Sequence, residues 1–151
     1  MRKRCKRKVW ALVNPIEHAI NGAKITDQES LDKLRLKELS ALDSMKRGKG
    51  TPDDWTALVD MNNICEMFIK RGYGKEALKD CTIAHHSLKD AAIRYSQTGK
   101  MGLDGAGMTA LAHVFEWHDA MRTSVSRSVY ESIIDDVRNH IISQAKEVTR
   151  L

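Results

Sequence analysis

The sequence predicts an all-α protein, a bundle of four or five helices with a basic, extended arm at the N terminus. Apolar residues recur three and four positions apart over long segments, which is the spacing of amphipathic helices. Strand-type alternation is nearly absent, and most of the nine glycines and two prolines lie between the helical segments. A chain of 151 residues is most economically one domain. We therefore predict a basic arm and docking strip over residues 1–24 and a helical bundle over residues 25–151.

The N-terminal arm carries the chain's excess of positive charge. Six of the 25 basic residues lie in it with no acidic residue among them; they are Arg2, Lys3, Arg4, Lys6, Arg7 and Lys8. Without these six, 19 basic residues face 20 acidic ones, so the body has a net charge of −1. The body is therefore not a broadly basic nucleic-acid binder, and contact with nucleic acid is expected to begin at the arm.

An apolar strip follows the arm. It contains Trp10, Leu12 and Val13, and the Asn14-Pro15 step after them favours extended backbone. Such a strip can dock on its own domain, on a neighbouring subunit or on a partner, and the sequence leaves these alternatives open. We expect the basic arm together with Trp10 to be the main contact element.

The sequence also predicts the compartment. The apolar run from Val9 to Val13 is too short for the core of a secretory signal, and no run approaches the roughly 20 residues that cross a membrane. Three cysteines without paired spacing fit a reducing compartment. We predict a cytoplasmic protein that does not associate with membranes, with Cys65 and Cys81 as small core residues.

The first helix is predicted from about Asp27, with Thr26 or Asp27 as its cap, to Lys46. Its predicted inner residues are Leu31, Leu34, Leu39, Leu42 and Met45. The second helix is predicted to begin with Thr51 as its cap and Pro52 at its first position, and to end in a glycine turn. Its predicted inner residues are Trp55, Leu58, Val59, Cys65 and Ile69.

Three further helices are predicted, over about Lys75 to Ser96, over Met108 to Arg122, and after a cap at Ser126. The predicted inner residues of the third helix are Ala77, Leu78, Cys81, Ala84, Leu88, Ala92 and Tyr95.

The second and third helices superficially resemble a helix-turn-helix. Three acidic residues lie on the would-be recognition helix, namely Glu76, Asp80 and Asp90. Because they would face a phosphate backbone, we reject that interpretation.

Five polar residues fall on or beside the inner faces of three predicted helices. They are Asn62, Glu66, His85, His118 and Asp119. A hydrogen-bonded core network is the main interpretation, because a buried polar group without a partner is costly. The alternatives are a metal or hydrolytic site and a pocket for a small ligand or a partner.

A hydrolase of the HD type would need a lone histidine, a His-Asp pair and a distant aspartate. His85, His118-Asp119 and Asp135 or Asp136 occur in this order. The pattern is weak, because these residue types are common and the chain is short for that fold. The Glu-x-x-His pair of di-iron bundles is missing. We therefore predict no metal ligand, catalytic residue or cofactor, and keep a metal-dependent phosphohydrolase as a minority alternative.

Several strings of the sequence occur together in a known family. After the basic N terminus come VNPI at 13–16, DMNNICEM at 60–67, RGYGKE at 71–76 and EWHDA at 116–120. In this order the chain resembles a family of small bacteriophage and prophage proteins from phages of Gram-negative hosts such as Burkholderia and Pseudomonas. Most members have no known function, and some are labelled Fis-like transcriptional regulators. The resemblance implies a phage gene product in a bacterial cytoplasm.

These observations favour a protein that acts by binding and is not an enzyme. We expect a phage accessory factor that modulates or inhibits a host or defence protein, by analogy with other small phage proteins. Apolar surface left over from the helices would support a homo-oligomer. Nucleic-acid binding through the arm is the alternative, and it predicts a steep dependence on salt.

Overall fold

The computed structural model describes residues 27–149, with side chains up to residue 144; within this part of the chain there are five α-helices and no strand. The helices are α1 (Gln28–Lys46), α2 (Pro52–Lys70), α3 (Leu78–Thr98), α4 (Gly105–Ser124) and α5 (Arg127–Thr149), with a 3-10 turn at Lys75–Ala77. The all-α prediction is confirmed for these residues, whereas the predicted arm and strip lie outside them. Among the described helices, none combines the length and the apolar character needed to cross a membrane.

The central helix is α2, which packs against each of the other four. Its start is as predicted. The Thr51 hydroxyl accepts the N–H of Asp54 at 3.2 Å, and the Asp54 carboxylate accepts the N–H of Thr51 at 2.9 Å. This reciprocal cap satisfies two backbone donors that the helix leaves free. Leu58, Cys65 and Phe68 are completely buried and form the middle of the core.

The buried face of α1 differs from the prediction. Leu34 and Leu39 are 38% and 45% exposed, whereas Glu38 is buried, so the assignment of both leucines to the core was wrong. The helix begins at the predicted cap Asp27. The face of α1 that is buried is determined by a residue of α4. Arg122 pairs with Glu38 in the interior, and a carboxylate with such a partner can be buried.

The most extensive helix contact joins α3 and α4. The latter begins at Gly105, about one turn before the predicted start, because Asp104 caps it by accepting the N–H of Gly107 at 2.7 Å. Ser87 of α3 donates to the same Asp104 oxygen at 3.0 Å. A Cβ atom on Gly107 would lie 1.8 Å from the Ser87 oxygen. Glycine at this position therefore permits the close approach of the two helices.

Two residues that were expected in the core of the third helix, Leu78 and Tyr95, are exposed. The segment before Leu78 is a 3-10 turn rather than α-helix. Residues in a 3-10 turn are spaced differently from those in an α-helix, so the predicted α-helical start assigned Leu78 to the wrong face of the helix. Cys65 and Cys81 are buried free thiols, which confirms their prediction as core residues. The last helix packs on α2 and contributes the fully buried Ile133 to the core.

Candidate functional site

Two of the five predicted polar residues belong to an ionic network that joins α1, α4 and α5. Arg122 is only 3% exposed and lies at its centre. Its guanidinium donates to Glu38 Oε1 at 2.9 Å and to Asp119 Oδ1 at 2.8 and 3.0 Å. Arg35 of α1 donates to both oxygens of Asp119, at 2.8 and 2.9 Å. Paired guanidinium and carboxylate groups allow these charges to lie in or near the core.

His118 completes the network and is fully buried. Its Nε2 lies 3.0 Å from the hydroxyl of Tyr130 on α5, and the two rings are stacked with centroids 6.0 Å apart. Its Nδ1 lies 3.5 Å from Glu38 Oε1 and makes no hydrogen bond. We call Arg35, Glu38, His118, Asp119, Arg122 and Tyr130 the Glu38 network.

The charges of the network alter the ionisation of its carboxylates. Burial raises the pKa of Glu38, but the neighbouring His118 and the charge and hydrogen bond of Arg122 outweigh it, so the pKa is lowered. For Asp119, burial likewise opposes ionisation, and the hydrogen bonds from Arg35 and Arg122 bring its pKa below the ordinary value. Burial raises the pKa of the Tyr130 hydroxyl. Both carboxylates are therefore ionised in the folded protein at neutral pH.

These shifts predict a loss of stability in acid. A carboxylate with a lowered pKa in the folded state stabilises the protein above the unfolded pKa, and this contribution is lost as the pH falls through the folded pKa. We expect the free energy of unfolding to decrease as the pH falls below the ordinary glutamate value of 4.5. Urea titrations at several pH values would measure it. The Glu38→Gln variant should show a shallower acid dependence, and the exposed control Glu29→Gln should follow the unmodified protein. Equal acid dependence of all three proteins would contradict the prediction.

The other three predicted polar residues lie elsewhere, between α2 and α3. The Asn62 amide donates to Glu66 Oε1 and to the backbone oxygen of Cys81, both at 3.3 Å. His85 is exposed, with its ring edge-to-face against His86. The structure thus divides the predicted cluster: it joins His118 to Asp119 and Asn62 to Glu66, and it separates His85 from the His-Asp pair.

The arrangement expected for an HD hydrolase is not assembled. Both oxygens of Asp119 are occupied by arginines. Asp136 pairs with Arg71, and Asp135 lies 3.7 Å from Arg138. Within the part of the chain that the structure describes, no three His, Cys, Asp or Glu side chains are grouped so that they could hold a metal ion.

Sequence reasoning missed most of the Glu38 network. Glu38 lies in the apolar stripe of α1, one turn before Leu42, and this single acidic residue in the stripe was a usable signal. Arg122 follows Asp119 at a spacing that brings side chains together on a helix. Tyr130 was not among the polar residues that the sequence singled out. The pairing of these residues across three helices depends on tertiary packing and has no local signal.

An open groove lies beside the network, where α1 and α5 flank α2. Its volume is about 440 Å³. Most of its lining is apolar; the lining residues are Leu34, Lys37, Glu38, Ala57, Asp60, Met61, Ile64, Tyr130, Ile134, Val137, Arg138 and Ile141. Glu38 Oε2 has no hydrogen-bond partner, although the side chain is nine-tenths buried. We call this feature the Glu38 groove.

Comparison with known proteins finds no matching family model, no matching curated protein and no matching solved structure.

Proposed function

We propose that this protein acts by binding and that the Glu38 groove receives a helix of a host or defence protein. In this proposal the chain is a phage-encoded accessory factor that modulates or inhibits its partner. The observation that carries the proposal is an apolar groove whose lining includes Glu38, a buried and ionised carboxylate with one unpartnered oxygen. The phage origin is supported by the strings that resemble the phage family.

The chemistry of the groove specifies the partner. Leu34, Ile134 and Ile141 supply apolar surface on both walls, and an amphipathic helix can lay its apolar face between such walls. Oε1 of Glu38 is paired with Arg122, whereas the buried Oε2 has no hydrogen-bond partner and therefore requires a donor. The partner helix is therefore expected to carry a lysine or arginine among its apolar contact residues.

The placement of the polar residues supports binding over hydrolysis. Asp119 is neutralised by two arginines, and His118 is packed against Tyr130 beneath the surface. These groups hold α1, α4 and α5 together, and the groove keeps mostly apolar walls with the carboxylates of Glu38 and Asp60 among its polar groups. Such a surface can select a partner by shape and charge.

Nucleic-acid binding remains the second candidate, because six basic residues precede Val9 without an acidic one. It would be recognised by a steep fall in affinity with rising salt. Deleting residues 1–8 should abolish it. This deletion should leave binding at the Glu38 groove unchanged, so the two functions can be separated.

A matched pair of substitutions on α1 tests the groove. Leu34 lines it, whereas Leu36, 67% exposed on the same helix, does not. A partner is first captured from a lysate of a Gram-negative host, identified and purified, and its Kd is then measured by calorimetry. We expect Leu34→Arg to raise the Kd at least about tenfold, because a charge would be placed against the apolar wall. Leu36→Arg should leave the Kd unchanged.

Two controls complete the test. Glu38→Gln, which retains the shape of the side chain, should also weaken binding if a partner cation pairs with the carboxylate. Light scattering of the purified protein reports its oligomeric state, and a dimer that Leu34→Arg alone dissociates would assign the groove to a second copy instead. Equal affinities for Leu34→Arg and Leu36→Arg would overturn the proposed site.

A further inference from the structure

A second cleft lies between α2 and α3, apart from the Glu38 groove. Its volume is about 580 Å³, within the range of about 300–1,000 Å³ that is usual for small-molecule sites. Trp55, Val59, Leu88 and Ala92 supply apolar walls. The indole N–H of Trp55 donates to the backbone oxygen of Leu88 at 2.8 Å. This hydrogen bond fixes the Trp55 ring at the wall of the cleft.

Asn62 lines this cleft and is 1% exposed. Its Nδ2 donates to Glu66 and to the Cys81 carbonyl. Because both partners are acceptors, they fix the orientation of the amide and leave Oδ1 as the group without a partner. Asn62 Oδ1 is buried and receives no hydrogen bond. A buried acceptor of this kind requires a donor, and because Asn62 lines the cleft, a ligand bound there would be the nearest source of one.

We propose that this cleft binds a small aromatic heterocycle that donates an N–H to Asn62 Oδ1. Trp55 and Asn62 lie two turns apart on α2, about 10 Å along the helix axis, so one molecule can contact both. The ring of such a ligand packs against Trp55 and the apolar residues of α3. An indole and a nucleobase share this chemistry. We call the feature the Asn62 cleft, and it is independent of the proposed partner groove.

Indole and N-methylindole form a matched pair of probes. They present similar aromatic surfaces, and only indole carries the ring N–H. Titrations followed by ¹H–¹⁵N NMR should shift the resonances of residues that line the cleft, including the Asn62 side-chain amide. We expect indole to bind about tenfold more tightly than N-methylindole, because the methylated ring leaves the acceptor unpaired. Adenine serves as the second source of the same chemistry. Binding of adenine in preference to indole would identify a nucleobase site.

Substitutions locate the binding site. Ala92→Trp fills the cleft and should abolish indole binding, whereas Ala120→Trp, on an exposed position of α4 outside the cleft, should not change it. Asn62→Leu should remove the preference of the cleft for indole over N-methylindole, and Ala92→Trp provides the test if Asn62→Leu does not fold.

Three outcomes would overturn the proposal. They are the absence of cleft shifts with both indole and adenine at millimolar concentration, equal affinities for indole and N-methylindole, and full retention of binding by Ala92→Trp.

Discussion

Replacing Arg122 with methionine is expected to lower the free energy of unfolding by about 3–5 kcal/mol, because it removes one partner of a buried ion pair. Glu38 would stay in the interior with only the 3.5 Å approach of His118 Nδ1 near its charge. Asp119 would keep Arg35, so most of the loss should come from Glu38. Urea unfolding followed by circular dichroism measures the change.

Two variants separate the charge from the packing. Arg138→Met removes an exposed arginine 3.7 Å from Asp135, and its effect should be no more than about 0.5 kcal/mol. The double variant Glu38→Leu/Arg122→Met should recover much of the stability, since no unpaired charge remains between those positions. If Arg122→Met cost no more than Arg138→Met, the network would not be a buried ion pair in solution.

Replacing Gly107 with valine is expected to lower the free energy of unfolding by about 3 kcal/mol, at the upper end of overpacking effects. A Cβ atom at this position would lie 1.8 Å from the oxygen and 2.5 Å from the Cβ of Ser87. The α3–α4 contact is the most extensive in the bundle, so α4 cannot shift without disturbing the core. Thermal unfolding of the variant measures the effect.

Gly105→Val is the matched control, because it lies in the same first turn of α4 and a Cβ there would meet no atom within 4 Å. It should cost much less than Gly107→Val. Adding Ser87→Gly to Gly107→Val should restore part of the stability, since the two closest clashing atoms belong to Ser87, whereas Asp104 Oδ1 at 2.8 Å would remain. An equal loss for the two glycine variants would show that α4 is not closely packed on α3 at this point.

The helices were predictable because their signals are local. The cap Asp27, the Thr51-Pro52 start and the cap at Ser126 depend on residues within one turn of each helix end, and the structure has all three. The start of α4 was placed too late. Gly105 and Gly107 follow Asp104, and because glycine has a low helix propensity, the sequence did not indicate that Asp104 caps a helix. Gly107 is nevertheless needed there, because it permits the close contact between α4 and α3.

The candidate sites were predictable only in part. The sequence identified Asn62, Glu66, His118 and Asp119 as polar residues on inner faces, because helical periodicity shows which face a residue occupies. It could not show that His85 is exposed and lies apart from the His118-Asp119 pair, since a residue at the edge of a stripe is buried or exposed according to the neighbouring helix. The orphaned Oδ1 of Asn62 was equally hidden, because hydrogen bonding of a side chain depends on what packs against it.

The sequence by itself determined the all-α class, the helix positions within about a turn and the burial of Leu58 and Cys65 on α2, because periodicity and capping act over a few residues. Only the tertiary structure decided that Glu38 is buried while Leu34 and Leu39 are exposed. It also decided that Arg122 holds Glu38 and Asp119 together and that an apolar groove opens beside them. These outcomes depend on the rotation of each helix against its neighbours. That rotation is set by the sum of many contacts between residues far apart in the chain, and no single segment encodes it.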